Sequence, residues 1–148
     1  MDITVISFIF SSVIGNIFYF INITISDIFI SLSVILFNLL IFLYSFYLKK
    51  LKIANLYSIF FAILIINLFS LLPLYLTNSY LTWALAQIFS FVLTLFYLRL
   101  LIIIIGSKKS ILKMLLFSLL TLGIYSLYFF YSLTQEFKNY YVSKKGGK

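Results

Sequence analysis

Apolar residues fill most of the chain in long stretches that short polar segments separate. The stretches run over 3–22, 28–48, 54–76, 81–105 and 111–133. Each offers about 20 mostly apolar residues, and at about 1.5 Å of rise per residue a helix of that length crosses the hydrocarbon core of a bilayer. The connections are short, so neighbouring helices must run antiparallel. The pattern predicts an all-α polytopic transmembrane helix bundle of five spans with short loops over 1–137, or of four spans if the first or last stretch does not cross.

The composition also points to lipid. Of the 148 residues, 64% are hydrophobic and 9% are charged, and the mean hydropathy is +1.19. A soluble globule of this size still exposes about a third of its chain surface to water. The lipid bilayer is therefore the first predicted partner. Residues 3–22 carry no basic leader and no small-residue cleavage motif, so we interpret them as a span and not as a secretory signal.

Single residues predict two helix boundaries. Ser26 or Asp27 precedes the second stretch and is expected to accept hydrogen bonds from the free amides of its first turn. Pro73 lies one turn before the end of the third stretch, where its missing N–H predicts a kink or a stop. The cap assigns Asp27 a structural role and no functional one.

Lysines predict the orientation. They cluster between the second and third stretches and between the fourth and fifth, as Lys49, Lys50 and Lys52 and as Lys108, Lys109 and Lys113. The opposite connections, 23–27 and 77–80, carry no basic residue. Because cytoplasmic loops collect Lys and Arg, the N-terminus and loops 49–53 and 106–110 are predicted to be cytoplasmic. Five crossings then place the C-terminus outside.

The basic tail over 138–148 conflicts with that scheme. It carries four lysines and is predicted to be disordered and solvated, yet five crossings place it on the external side. A fifth stretch that dips and returns around Gly123 would place it inside. Because hairpin backbone exposed to lipid leaves polar groups unsatisfied, and because 111–133 is long enough to cross, the single crossing is the preferred prediction.

Polar residues recur at helical spacing inside the apolar stretches. Helix association in lipid depends on small residues and interhelical hydrogen bonds, so we predict helix packing at Ser7, Ser11, Gly15, Ser90 and Thr94. The amides among the polar positions are Asn16, Asn38, Asn67 and Gln87. Packing explains these strips most simply, and the alternative is a polar pocket or pathway that the four amides line.

Arg99 is the one charged residue well inside an apolar stretch. Its side chain is expected either to snorkel to the nearer interface or to face the bundle. In the second case its partner would be carbonyls, the amide strip, a lipid phosphate or an acid from another subunit. Arg99 is therefore a candidate functional residue together with the amides.

The chemistry available excludes most catalysis. The chain has neither His nor Cys, and its acids, Asp2, Asp27 and Glu136, are scattered, so we predict no catalytic residues, no metal site, no cofactor and no enzyme activity. A nucleic-acid partner is also not expected. The first functional hypothesis is a small subunit or accessory or assembly factor of a larger membrane complex, bound to other membrane subunits or to itself. The alternative is a small transporter, channel or lipid-handling protein that uses the amide strip and Arg99.

Overall fold

The chain is helical throughout the part that the structure describes. A computed structural model describes residues 1–69 and 80–146, which contain no strand. The helices are α1 Asp2–Phe18, α2 Ile23–Lys50, α3 Tyr57–Phe69, α4 Tyr80–Ile105, α5 Ile111–Leu120 and α6 Ile124–Gly146. The all-α prediction is confirmed. The predicted boundary at Pro73 and most of the predicted loop 77–80 lie outside the described residues.

The start of α2 corrects the predicted cap. The side chain of Asn22 accepts a hydrogen bond from the Ile25 N–H at 3.2 Å, so the cap lies four residues before Ser26 and five before Asp27. Ser26 is buried and its hydroxyl donates to the Gly15 carbonyl at 2.9 Å. Asp27 is exposed. The prediction failed because the Ser26 hydroxyl bonds to Gly15 of α1, and Asn22 supplies the cap instead.

α1 and α2 form a close antiparallel pair around Gly15. A Cβ at this position would meet the Ile30 side chain at 3.0 Å and the Ile30 backbone nitrogen at 3.2 Å, so a larger residue would have to push the two helices apart by a few tenths of an ångström. Ser11 is buried, whereas Ser7 is half-buried. Of the small residues predicted to pack in α1, Gly15 lies where the two helices meet.

α2 and α4 both end in a residue with a left-handed backbone. These residues are Lys52, with φ 57, and Gly106, with φ 67. The following amides return to the last helical turn, from Ile53 to Leu48 at 3.2 Å and from Ser107 to Ile102 at 3.0 Å. This arrangement satisfies carbonyls that a helix end would otherwise leave unpaired. It places the two lysine-rich connections at helix ends, as the sequence predicts.

Buried hydroxyl groups join α2 to α4 and to α6. The Tyr44 hydroxyl lies 2.6 Å from the Thr134 hydroxyl. The Tyr97 hydroxyl donates to the Ile41 carbonyl at 2.9 Å and lies 2.8 Å from the Ser45 hydroxyl. All five residues are 0–1% exposed. These contacts fix three helices side by side at the centre of the bundle.

The predicted single helix over 111–133 is corrected to a helical hairpin. α5 ends at Leu120, the chain turns over 121–123, and α6 runs back beside α5. Lys109, just before α5, forms an ion pair with Glu136 of α6 at 2.8 Å and donates to the Ser132 hydroxyl at 2.8 Å. We call α5, the turn 121–123 and α6 the C-terminal hairpin.

Side chains satisfy much of the backbone at the hairpin turn. The Thr121 hydroxyl donates to the Phe117 carbonyl at 2.7 Å and accepts from the Tyr125 N–H at 3.0 Å. The Ser126 hydroxyl donates to the Gly123 carbonyl at 2.6 Å. Gly123 has φ 92, a conformation that glycine adopts without steric cost. Unsatisfied backbone groups are the main free-energy cost of a hairpin in lipid. These residues reduce that cost, which is why the chain turns here.

The C-terminal segment is also corrected. It is expected to be disordered from 138, but α6 continues as a helix to Gly146. Tyr141 packs on Tyr47 with ring centroids 4.9 Å apart, and Lys138 forms an ion pair with Asp2. The end of α6 therefore lies beside the start of α1 and the end of α2. We call this the basic end of the bundle, because it also holds the connections that follow α2 and α4.

Among the helices that the structure describes, two are long and apolar enough to cross a membrane, judged by length and composition. They are Ile23–Lys50 and Leu81–Ile105, whose most apolar windows have mean hydropathies of 2.4 and 2.6. In each of these windows 28% of the residues are buried. Shorter apolar helices cover Asp2–Phe18, Tyr57–Phe69 and Ile111–Leu120. The structure thus supports a membrane-associated helical protein, and it does not confirm five spans.

Candidate functional site

A cavity of about 520 Å³ that is open on one side lies between α2, α3, α4 and the C-terminal hairpin. Its described polar lining residues are Ser33, Asn38, Asn67, Gln87, Ser90, Thr94, Ser118 and Ser126. The apolar lining includes Phe8, Phe37, Phe91 and Phe130. Ligand sites are usually concave and mostly apolar with a few polar groups, and this cavity has that character.

α4 supplies one polar wall of the cavity. Gln87, Ser90 and Thr94 follow each other at spacings of three and four, so they lie on one face of the helix. Ser90 is buried, and the Thr94 hydroxyl donates to the Ser90 carbonyl at 2.9 Å. The backbone bond holds the Thr94 side chain in place, and Gln87 is the longest polar side chain on this wall.

α2 supplies a second amide. The Asn38 side-chain nitrogen donates to the Val34 carbonyl at 2.9 Å, which fixes the orientation of the amide. Its oxygen makes no hydrogen bond within the described residues. Because an amide oxygen can accept two hydrogen bonds, Asn38 offers the cavity an acceptor.

The C-terminal hairpin supplies a third polar wall. The Ser118 hydroxyl oxygen is buried and has no hydrogen-bond partner in the described part of the chain. The Ser126 hydroxyl donates to Gly123 in the turn. A helical serine commonly donates to the carbonyl four residues earlier, and Ser118 does not. Its hydroxyl is therefore available to a molecule in the cavity.

The cavity collects most of the amides that the sequence singles out. Asn38, Asn67 and Gln87 line it, but Asn16 does not. Asn16 is exposed on α1 and donates to the Ser12 carbonyl at 2.7 Å. Sequence reasoning missed Ser118 and Ser126, because both lie in the stretch that was expected to form one straight helix. Their signal was the cluster of Thr121, Gly123 and Ser126, which marks the turn.

Arg99 lies outside the cavity. Its side chain is exposed on α4 and borders a separate depression of about 380 Å³, where Lys109, Ser110 and the first residues of α5 also lie. The described lining of the cavity contains no charged residue. The cavity and Arg99 are therefore two different sites, whereas the sequence hypothesis combines the amides and Arg99 in one function.

Ion pairs hold the hairpin at the basic end. Partial burial acts to raise the pKa of Glu136, but hydrogen bonds from Lys109 and Ser107 and the lysine charge outweigh it and lower the pKa. The hydrogen bond from Lys138 is the main cause of the lowered pKa of Asp2. Both carboxyl groups are therefore ionised at neutral pH. They neutralise two of the lysines at this end.

The cavity can bind but has little to react with. No group of three His, Cys, Asp or Glu residues that could hold a metal ion occurs in 1–69 or 80–146. The groups on the cavity wall are amides and hydroxyls, which donate and accept hydrogen bonds without changing charge near neutral pH. Such a wall suits a neutral molecule that has both hydrogen-bonding groups and apolar surface.

Comparison with known proteins identifies one segment. Residues 109–148 match the family described as a domain of unknown function (DUF4234). The match begins at Lys109 and takes in the whole C-terminal hairpin. No curated protein and no solved structure matches the chain. The similarity thus concerns the segment that departs most from the fold expected from sequence.

Proposed function

We propose that the chain is a multi-pass integral membrane protein in which the first four predicted spans cross the bilayer and the C-terminal hairpin enters and returns. The main support is the low burial of α2 and α4. The core helix of a soluble protein would be mostly buried, whereas only 28% of the residues in the most apolar window of each of these helices are buried. α5 has 10 residues, about 15 Å of helix, which reaches only half of a bilayer core of about 30 Å. The hairpin is therefore too short to cross.

The distribution of charge gives the proposed orientation. Every described lysine and Arg99 lie in the half of the bundle that includes the basic end, whereas Asp27 lies near the start of α2 at the other end. By the positive-inside rule the basic end faces the cytoplasm. Both termini then lie on the cytoplasmic side, and the basic C-terminal segment no longer conflicts with the rule. This orientation replaces the external C-terminus that follows from five crossings.

The function we propose for this protein is the binding of a small neutral amphipathic molecule, such as a lipid with an uncharged head group, without catalysis. The carrying observation is the cavity with its amide and hydroxyl walls. In an apolar site each unpaired acceptor or donor favours a ligand that completes its hydrogen bonds. The aromatic side chains would contact the acyl part. The subunit role expected from the sequence stays a prediction.

A fluorescence experiment tests this function. Trp83, the only tryptophan of the chain, lies one turn from Gln87 on α4. We would titrate the purified protein in neutral detergent with a monoacylglycerol whose acyl chain carries bromine atoms, which quench tryptophan on contact. We expect saturable quenching. Asn38→Leu should weaken the apparent affinity about fivefold, because the ligand loses one hydrogen-bonding group worth about 1 kcal/mol.

Asn16→Leu is the matched control. Asn16 and Asn38 are both helical amides that donate to the carbonyl four residues earlier, but only Asn38 lines the cavity. Equal weakening by the two substitutions, or quenching that never saturates, would reject the cavity as the binding site. A brominated fatty acid in its anionic form should bind more weakly than the monoacylglycerol, and tighter binding would reject the neutral-ligand assignment.

A further inference from the structure

No residue in the described part of the chain pairs with Arg99. It lies six residues before the last residue of α4, which places its Cα about 9 Å along the helix from that end. Its side chain is exposed. Among the described residues it makes no hydrogen bond and no ion pair. The nearest part of the hairpin offers no free acid, since Glu136 is already paired with Lys109.

The surroundings of Arg99 combine a polar rim and an apolar wall. The depression of about 380 Å³ is lined by Lys109 and Ser110 at one side and by residues such as Ile102, Ile103 and Leu112 along the rest. Ile103 and Leu112 are 63% and 67% exposed. The ammonium group of Lys109 is already bound to the Glu136 carboxylate and the Ser132 hydroxyl. Arg99 is therefore the unneutralised cation of this depression.

An exposed cation between apolar side chains favours a ligand that is an anion and also carries apolar chains. A guanidinium binds phosphate oxygens through two parallel hydrogen bonds. An isolated cation in an apolar environment also lacks the solvation that it has in water. A phospholipid satisfies both sides, because its phosphate reaches the guanidinium while its acyl chains cover the isoleucines and the leucine.

We infer that the depression beside Arg99 binds one anionic phospholipid of the cytoplasmic leaflet. This inference rests on the membrane topology proposed above, and it is independent of the ligand in the cavity. The net positive charge of the basic end favours an anionic lipid over a zwitterionic one. The lipid would also touch the junction between α4 and the C-terminal hairpin, at Ser110.

The test uses a tryptophan placed in the depression. In a Trp83→Phe background, Ile103→Trp puts a fluorophore on the wall beside Arg99, and Ile88→Trp puts one on an exposed part of α4 nearer its start. The protein is reconstituted in phosphatidylcholine vesicles that contain brominated phosphatidylglycerol or, at the same mole fraction, brominated phosphatidylcholine. At the Ile103→Trp reporter we expect phosphatidylglycerol to be preferred about fivefold, the factor for one cation near an anionic surface.

Two charge-removing substitutions distinguish a specific lipid site at Arg99 from a general attraction of anionic lipids to the basic end. Arg99→Leu should abolish the preference at the Ile103→Trp reporter. Lys108→Gln removes one charge from the same end without touching this depression, and the preference should remain. The Ile88→Trp reporter should show none. A preference that survives Arg99→Leu, or one that both charge substitutions reduce equally, would overturn the assigned site.

Two further outcomes identify the ligand and the topology. Replacing chloride with inorganic phosphate at equal ionic strength should leave the preference intact, and its loss would assign the site to a free anion and overturn the lipid assignment. If neither reporter is quenched by brominated phosphatidylcholine, the chain is not embedded and the topology itself fails. If both are quenched but phosphatidylglycerol has no advantage, the topology stands and the lipid site is rejected.

Discussion

Two apolar stretches of similar length fold in different ways. The stretch 81–105 forms almost all of α4 and continues without a break, whereas 111–133 divides into α5 and the first part of α6. Both exceed the length that a span needs. The first contains neither glycine nor proline, and the second contains Gly123 between Thr121 and Ser126. Hydropathy thus detects a long apolar stretch, but local hydrogen bonding decides whether the helix continues through it or turns.

The ends of the two stretches reinforce that difference. α4 has no acid or base along its length except Arg99, so nothing on it favours a return. The C-terminal hairpin brings Lys109 against Glu136, and these groups lie at opposite ends of the folded segment in sequence. The ion pair stabilises the returned chain. The side-chain hydrogen bonds of the turn lower the free-energy cost of turning, because they satisfy backbone groups there.

The largest expected effect comes from making the second stretch resemble the first. Thr121→Leu combined with Gly123→Leu removes the two hydrogen bonds of the Thr121 side chain and forces a branched residue into a backbone with φ 92. Together these changes disfavour the turn by about 2–4 kcal/mol. We expect a fraction of the chains to cross with 111–133 and to carry the C-terminus to the other side. Labelling of a Ser143→Cys reporter in intact cells measures that fraction.

Gly106→Leu is the control for backbone strain. Gly106 also has a positive φ, 67, with no atom near an added Cβ, but it lies in the connection before the hairpin. This variant should lose stability without moving the reporter. Equal movement of the reporter in both variants would mean that general destabilisation, and not the turn, controls the topology.

The next effect concerns the ion pair that closes the hairpin. Lys109→Met removes the more buried member of the pair, whose side chain is 19% exposed against 42% for Glu136, and we expect a loss of about 1 kcal/mol of stability. The double variant with Glu136→Leu should recover part of that loss, because it removes the unpaired charge as well. Thermal unfolding in detergent, with the four proteins arranged as a double-mutant cycle, measures the coupling. A cycle without coupling would show that the pair does not hold the hairpin.

The same pair predicts a dependence on pH. The pKa of Glu136 is lowered in the folded protein from its ordinary value of 4.5, so the stabilisation is present above that value and is lost as the pH falls through the folded pKa. Melting temperatures should therefore fall below about pH 4.5. Glu136→Gln should flatten this part of the curve. A curve of unchanged steepness in the variant would assign the acid sensitivity to another group.

A smaller effect is expected from the hydroxyl contact that attaches α6 to α2. Tyr44→Phe removes the bond to Thr134, whose hydroxyl still donates to the Phe130 carbonyl, so the cost should be near 0.6 kcal/mol, the average for such bonds between membrane helices. Tyr97→Phe makes the equivalent change on α4. Hydrogen exchange of α6 should increase in the first variant and not in the second.

The smallest effect should come from the pair between Asp2 and Lys138. Both side chains are more than 40% exposed, and exposed pairs typically contribute 0.2–1 kcal/mol. Asp2→Asn should therefore shift the melting temperature less than any variant above. A larger loss than that of Lys109→Met would reverse the order of importance that burial assigns to the two pairs.

Much of the bundle could be predicted from sequence because long apolar runs leave few alternatives. The starts and ends depend on finer contacts, and there prediction failed. Ser26 has the sequence of a cap, but its hydroxyl reaches Gly15 in another helix. The return at Gly123 cannot be predicted from the sequence, since the benefit of the Thr121 and Ser126 hydrogen bonds is visible only when their geometry is known.

The candidate site shows the same division. The spacing of Gln87, Ser90 and Thr94 on one helix face could be read directly from the chain. The contribution of Ser118 could not, because it requires the hairpin. The face of α4 that Arg99 occupies was also undecided, since apolar residues surround it on every side of the helix.

The location of the C-terminal segment tests the central claim most directly. The chain has no cysteine, so single substitutions report without background. Ser143→Cys, at the exposed end of α6, is compared with Lys50→Cys at the basic end and Thr24→Cys at the opposite end, using an impermeant thiol reagent. We predict that Ser143→Cys and Lys50→Cys are labelled only after the cells are permeabilised, whereas Thr24→Cys is labelled in intact cells. Labelling of Ser143→Cys together with Thr24→Cys in intact cells would contradict the hairpin and restore the fifth span.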